Sequence, residues 1–540
     1  MTSTKDTNLG TKKEPSAITY ALGGAVTAPA IGISNRSKEK VHITDQRRST
    51  HIIGTHGTGK STLLLNSFLS DVKSNDKGVV LLDPHGDLAR DAISRCPEEH
   101  ADRVIYFSPN IGPQIERPLG LNPFEWSSRS EFELKAGAIL DTFTHLWYGD
   151  FSSTPTLQHT LEVTTKTLLN AYPSHATSFY HMFLMMRRDE IGKSARNFLS
   201  EFVSNNPALL YRWELWNSKK GQFERDTESS EKKINHIIAT KPLLDILAQP
   251  KTAKCLNFEE LLSNRGVLVV NLEGIDKEGQ KLIGSIILTQ LAVMGRLRRD
   301  KATREPCHIY ADEFYNFAPA SFVTIINELR KFGLFCTLAH QSLAQLDTDA
   351  KAAVGNCANK VIFQVNPSDA KELASHFRIL EESISLKYIP KEESRLNSDS
   401  FSDIVREHVV EQTWIDLPAG HLSNMPPYYA LAKCAKGSDL AQDNLVKTFP
   451  PKGVDEERVA EKIINRSAQH GTPLSDLVDI IERENNLFQT LAQPQKENKT
   501  NSSVRNDNVN KSSKSDRPKP NREKPEPEPT SKQDKKVFWE

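Results

Sequence analysis

The eight residues Gly54-Thr55-His56-Gly57-Thr58-Gly59-Lys60-Ser61 decide how this chain folds. They satisfy the spacing GxxxxGK[ST], in which glycines let successive backbone N–H groups turn inward around a phosphate. The flanks suit that reading. His51–Gly54 is a short apolar run, as a buried strand requires, and Ser61–Ser70 (STLLLNSFLS) opens a helix whose N-terminus adds positive potential. The loop therefore predicts an ATP site built from Gly54, Gly57, Thr58, Gly59, Lys60, Ser61 and Thr62. Lys60 would reach the β- and γ-phosphates, and the Ser61 hydroxyl would ligate Mg²⁺.

Working outward, further short β-branched runs recur without polar alternation. They are Gly78–Asp83 (GVVLLD), Arg103–Phe107, Gly266–Leu272 (GVLVVNL), Cys307–Ala311, Leu334–Leu338 and Lys360–Val365. Strands of a mostly parallel sheet covered on both faces read this way. Between about 128 and 255 the pattern becomes helical, as in Leu157, Leu161, Thr164, Leu168 and Leu169, and again over Ile234–Leu247. An α/β domain interrupted by an all-helical insertion accounts for this order. The expected divisions are a disordered start over 1–16, α/β over 17–127, the insertion over 128–255 and α/β again over 256–450. A helical segment over 451–493 and a disordered tail over 494–540 complete them. In the helical segment, Asp455–Ser467 and Pro473–Leu487 read as two amphipathic helices, with Thr472 as N-cap of the second. The tail carries 12 Lys/Arg against 8 Asp/Glu and almost nothing apolar before Val537-Phe538-Trp539, too little to offset chain entropy.

A phosphate loop needs an acidic partner at the end of another buried strand. Cys307-His308-Ile309-Tyr310-Ala311 ends in Asp312-Glu313. Asp312 is the candidate Mg²⁺ carboxylate, and Glu313 the candidate base for an attacking water. Arg330 and Gln341 follow in order, before and after the run Leu334–Leu338. Gln341 could sense a γ-phosphate, and Arg330 could neutralise charge in a neighbouring subunit. On spacing alone, a strand cap and a cation at a helix C-terminus explain them equally well.

Composition limits what else is possible. The 540 residues hold 69 Lys+Arg and 69 Asp+Glu, so a globally basic nucleic-acid binder is excluded and any such contact must be local. Candidates are Arg296, Arg298, Arg299, Lys301 and Arg304, and in the insertion Arg187, Arg188, Lys219 and Lys220 with Trp213 and Trp216 nearby; solvated helix faces account for them as readily. The six cysteines form no CxxC pair, which argues against a zinc ribbon or a disulfide framework. No secretory signal is visible. Leu282–Leu297 contains Ser285, Thr289, Gln290 and Arg296 and reads as a buried helix instead of a span, so the expected location is the cytoplasm, with recruitment to the membrane left to partners.

The order GTHGTGKS, LLDPHGD (81–87), GLNPF (120–124), a helical block, GVLVVNL, HIYADEF, RKFGL and AHQ resembles the HerA/FtsK-like P-loop ATPases. Within them it resembles the TraD/TraG-like coupling proteins of conjugative type IV secretion. The resemblance implies a RecA-like ATPase domain, a homo-hexameric ring and ATP-driven movement of DNA, single- or double-stranded. It implies Lys60 and Ser61 on phosphate and Mg²⁺, Asp312 and Glu313 as the acidic pair, Gln341 as sensor and Arg330 acting across the subunit interface. It also favours a tail that docks on relaxosome or secretion-channel proteins. The DPHGD segment, Asp83–Asp87, receives no chemistry from it. Many coupling proteins carry N-terminal membrane helices, and none is visible here. Two alternatives remain open, a HerA-like translocase in DNA repair or end processing and a nucleotide-dependent scaffold that recruits secretion substrates.

Overall fold

Every residue of Gly78–Asp83 is buried, as are those of Val267–Asn271, Cys307–Ala311 and Leu334–His340. Strands buried on both faces need helices above and below, and the architecture supplies them. The computed structural model describes residues 30–34, 40–42, 49–147, 155–219, 221–250, 255–298, 304–318, 330–380, 414–416, 419–436 and 439–493. The expected disordered start and tail, and the helix expected from near Ser321 to Arg330, lie outside them; so do Arg299, Lys301 and Lys220.

In chain order the strands are β1 (Ala30–Ser34), β2 (Lys40–His42), β3 (Thr50–Ile53), β4 (Gly78–Asp83), β5 (Val104–Phe107), β6 (Val267–Asn271), β7 (Cys307–Ala311), β8 (Leu334–His340), β9 (Asn359–Ile362), β10 (Arg378–Leu380), β11 (Trp414–Asp416), β12 (Tyr429–Lys436) and β13 (Asp439–Thr448). Eleven of them form one sheet in the order β2-β1-β13-β12-β9-β3-β8-β7-β4-β6-β5, and β10 pairs with β11 apart from it. From β9 to β5 all neighbours are parallel. The remaining edge, β12, β13, β1 and β2, is antiparallel.

Alternation along each strand feeds two cores. Val79 and Leu81 face one side, with Leu64 and Phe68 of the helix Lys60–Ser74 and with Val459 and Ile463 of the helix Glu457–Gln469. Val80 and Leu82 face the other, against Ile283 and Ile287 of the helix Lys277–Leu297. That second core continues into the helices Arg129–Leu146, Pro155–Ala171 and Phe179–Met186, so the helical stretch shares one apolar cluster with the sheet face. Lys277–Leu297 is buried along most of its length, which explains its apolar character. No helix among the described residues is long and apolar enough to cross a membrane.

Two local expectations are corrected. The final helix runs Leu474–Ala492 with Pro473 at the N-cap position; the Thr472 hydroxyl donates to Gln249 Oε1 (2.7 Å) instead of capping. Trp213 and Trp216 are core residues, with indole N–H groups donating to Thr167 Oγ1 (3.0 Å) and Asp226 Oδ2 (2.8 Å), so neither ring is presented for base stacking.

Candidate nucleotide-binding site

In the parallel part of the sheet the C-terminal ends of β3, β8, β7 and β4 lie side by side, and the candidate residues sit on those ends. The register fixes who meets whom. Ile53 pairs with His340, Ala311 with Leu338 and Leu82 with Ala311. The phosphate loop, Gln341, Asp312-Glu313 and Asp83 therefore come from four adjacent strands.

The loop Gly54–Gly59 leads into a helix that begins at Lys60. A Cβ at Gly54 would stand 2.6 Å from Phe363 Cβ, and Gly59 has φ +112°, so the glycines at these positions are required. The N-cap residue, Gly59, has no side chain to cap the helix, which leaves its first amides for an anion. The hairpin β12–β13 braces the loop from the side, with the Tyr428 N–H donating to Thr58 O (2.9 Å). Tyr428 itself has φ +65° and is half exposed, with Cδ1 3.1 Å from where a Gly59 Cβ would stand. Sequence reasoning missed this residue, because nothing local signals that a position so far along the chain returns to the loop.

Lys60 is buried and its Nζ donates to Thr55 O (3.2 Å). Burial lowers its pKa, while the Asp312 and Glu313 carboxylates oppose that shift. The Ser61 hydroxyl donates to Asp312 Oδ2 at 3.1 Å. A hydroxyl and a carboxylate in direct contact, both hard oxygen donors, fit Mg²⁺.

Glu313 carries the site's strain. Its backbone is left-handed (φ 47°, ψ 47°), uncommon for a non-glycine residue and held here with the side chain only 3% exposed. One carboxylate oxygen accepts from Gln341 Nε2 (2.5 Å), while the other, Oε2, is buried without a partner among the described residues. Burial raises the Glu313 pKa, with Asp312 adding to it and the Gln341 hydrogen bond and Lys60 opposing. A desolvated carboxylate with one oxygen fixed and one unfilled can accept a proton from a water placed beside it.

The DPHGD segment lies at this site too. Asp83 accepts from the His85 and Ala89 N–H groups (2.9 Å each), folding the turn that starts the helix Asp87–Ser94. Burial raises its pKa and the Asp312 carboxylate adds to this, which places two acids on neighbouring strand ends. His85, exposed on the turn, is close enough to lower the Glu313 pKa. Beneath the site, His51 of β3 and His340 of β8 stack at 4.9 Å with Nε2 atoms 2.7 Å apart. His340 Nδ1–H donates to Ser342 O (3.0 Å), so its Nε2 accepts from His51. Burial lowers both pKa values, that of His340 to about 4, and the neutral pair ties the loop strand to the strand carrying Gln341.

Arg330 is not brought to this cluster. It is exposed in the 3-10 turn Arg330–Phe332 ahead of β8, while Gln341 follows the same strand. Seven residues of strand separate the two ends by about 23 Å. Of the expected nucleic-acid cations, Arg298 is buried with Nη2 donating to Glu305 O (2.9 Å), and Arg304 donates to Arg298 O (2.7 Å) and to Lys331 O. These two arginines hold loop backbone. Arg187 and Arg188 are paired with Asp189 and Glu231.

Two family profiles match the chain. Residues 35–291 match the central domain of the helicase HerA, and residues 306–395 match the TraM recognition site of TraD and TraG. Among solved structures, the plasmid coupling protein TrwB in complex with ADP and Mg²⁺ is 14% identical, with 81% of this chain and 92% of that chain covered at a TM-score of 0.54. TrwB with the non-hydrolysable GTP analogue GDPNP gives the same 14% identity, coverage of 81% and 92%, and TM-score of 0.54. The trigonal form of the bacterial conjugative coupling protein TrwBdeltaN70 with sulphate is also 14% identical, again covering 81% and 92%, at 0.55. At such identity the structural likeness speaks for the fold. A search of curated protein sequences gives no match. The two profiles, one over the phosphate loop and the other over the acidic strand end, make the chain similar to HerA in its first part and to TraD and TraG beyond it, on a fold like that of TrwB.

Proposed function

We propose that this protein hydrolyses ATP and uses the energy to move DNA as the coupling component of a conjugative type IV secretion system, acting as a homo-hexameric ring. One observation carries the catalytic half of that reading: the buried, strained Glu313 presents an oxygen that has no partner among the described residues, while Gln341 holds the other. A protein that only binds nucleotide has no need of such a base, so the scaffold reading is disfavoured. The match to a TraM recognition site supports transfer; the match to the HerA central domain keeps end processing as the second reading.

In this assignment Lys60 and the loop amides bind and orient the β- and γ-phosphates. Ser61 and Asp312 hold Mg²⁺, which neutralises phosphate charge when bound. Glu313 takes the proton of the attacking water, and Gln341 fixes the carboxylate and reports the γ-phosphate. Arg330, too far from its own chain's site, serves the site of a neighbouring copy.

The deciding experiment is steady-state ATPase of the full chain with and without single- and double-stranded DNA across protein concentrations. Activity that DNA stimulates and that climbs cooperatively with concentration is expected. Turnover indifferent to both would sink the translocase reading. The pKa shifts give a second test. The Gln341 hydrogen bond lowers the Glu313 pKa, so Gln341→Ala raises it. The base must be ionised, and the acid limb of the pH–kcat/KM profile should therefore move to higher pH. A limb that stays in place or moves down would mean that Glu313 is not the titrating base.

A further inference from the structure

The final helix Leu474–Ala492 lies on the helical part of the fold through a small apolar contact. Only Leu477 and Phe488 of its side chains are buried, and they join Tyr180, Leu184, Ala195 and Ala248 in a separate apolar cluster. Beside that cluster three polar atoms converge from three segments: His175 Nε2 from a loop, His181 Nε2 from the helix Phe179–Met186, and Glu484 Oε2 from the final helix. The separations are 3.1 Å between the imidazole nitrogens, 3.1 Å from His181 to Glu484 and 3.3 Å from His175 to Glu484. We propose that His175, His181 and Glu484 bind a first-row divalent cation of the Zn²⁺ class, which bolts the final helix to the helical layer.

The triangle's shape fits coordination. Ligand atoms about 2.0–2.1 Å from a tetrahedral Zn²⁺ stand about 3.4 Å from one another, near all three edges seen here. Two N–H donors sharing one carboxylate oxygen would instead meet it at a corner of about 60°, crowding their hydrogens. Two imidazoles and a carboxylate suit Zn²⁺ over Mg²⁺ or Ca²⁺, which prefer all-oxygen sets. Burial lowers the His181 pKa and so favours the neutral ring, the form that ligates; burial works against the Glu484 carboxylate, but the hydrogen bonds from His175 and His181 outweigh it and bring its pKa to about 2. Phe198 and Phe488 pack edge-on against His175 at 5.3 and 6.2 Å, limiting its rotation. His175 and Glu484 are 17% and 21% exposed, so water can reach the fourth position.

One local bond opposes the cation. His181 Nδ1 accepts from the Ser178 N–H (3.0 Å), which places the ring proton on Nε2. Ligation moves that proton to Nδ1, where the Ser178 hydroxyl, 3.3 Å away, accepts it. The exchange gives up that bond at the helix N-cap and the contacts that join the three side chains to one another, against three coordinate bonds.

The test uses the full-length protein, stripped with a chelator, kept nucleotide-free and titrated with Co²⁺ and then Zn²⁺. Expected are one equivalent of Co²⁺ with the d–d absorption of a tetrahedral site, displacement by Zn²⁺, and slower proteolytic release of the C-terminal helix once loaded. Glu484→Gln and His175→Ala should each weaken binding by at least about 100-fold, with ATP binding retained as the control for folding. The proposal is overturned if the wild-type protein shows no tetrahedral Co²⁺ spectrum. It is equally overturned if both variants keep the wild-type affinity, or if a thiolate-to-cobalt charge-transfer band shows that cysteines hold the metal.

Discussion

Glu313→Gln should lower kcat for ATP by about 10²–10⁴-fold while leaving the Kd for nucleotide within about twofold. The amide keeps the size of the carboxylate and can still pair with Gln341, so the loop, Lys60 and the Ser61–Asp312 contact are left in place. It cannot take a proton from water. Removing the charge also relieves repulsion with Asp312, which acts on Glu313 in the native site. Nucleotide affinity should therefore hold or improve while turnover collapses. Fluorescent-nucleotide titration and single-turnover hydrolysis measure the two halves separately; a variant hydrolysing within threefold of wild type would remove Glu313 from the base role.

The second large effect concerns Arg330. Arg330→Ala should cost about 10³–10⁵ in kcat if the side chain completes a neighbour's site, again with little change in nucleotide binding. A loss of rate alone would not show that the arginine acts between subunits, but mixing would. Arg330→Ala chains keep Glu313 and Glu313→Gln chains keep Arg330. Random co-assembly into a ring joins an intact Glu313 to an intact Arg330 at about one interface in four. Each variant alone should be inactive and the mixture active. A mixture as dead as its components, with assembly verified by light scattering, would place Arg330 outside the chemistry.

How much could be read in advance varied with how local the signal was. The seven parallel strands were legible because each is a short apolar run buried on both faces, and their bounds moved by only a few residues; Gly78–Asp83 and Cys307–Ala311 are as expected. The antiparallel edge was not legible. Tyr429–Lys436 carries Lys433 and Lys436, and Asp439–Thr448 opens with Asp-Leu-Ala-Gln-Asp, so neither presents a continuous apolar run. At the site, Lys60, Ser61, Asp312 and Glu313 announce themselves by spacing. The strain at Glu313, the carboxylate of Asp83 beside Asp312 and the brace from Tyr428 do not, because each depends on which strand lies next to which. Trp213 and Trp216 mislead for the opposite reason: an aromatic pair near basic residues looks alike in sequence whether it faces solvent or core.

The position of β3 has a consequence for how the protein is made. Its two neighbours are β8 and β9, and His51 meets a partner 289 residues further along the chain. At synthesis rates of about 5–20 residues per second, about 15–60 s pass between emergence of the phosphate loop and emergence of the strand that first flanks it. During that interval an apolar strand waits on the ribosome with both edges bare, exposed to mispairing and within reach of chaperones. The nucleotide site is thus among the last parts of the molecule to be assembled, although its signature is among the first to be translated.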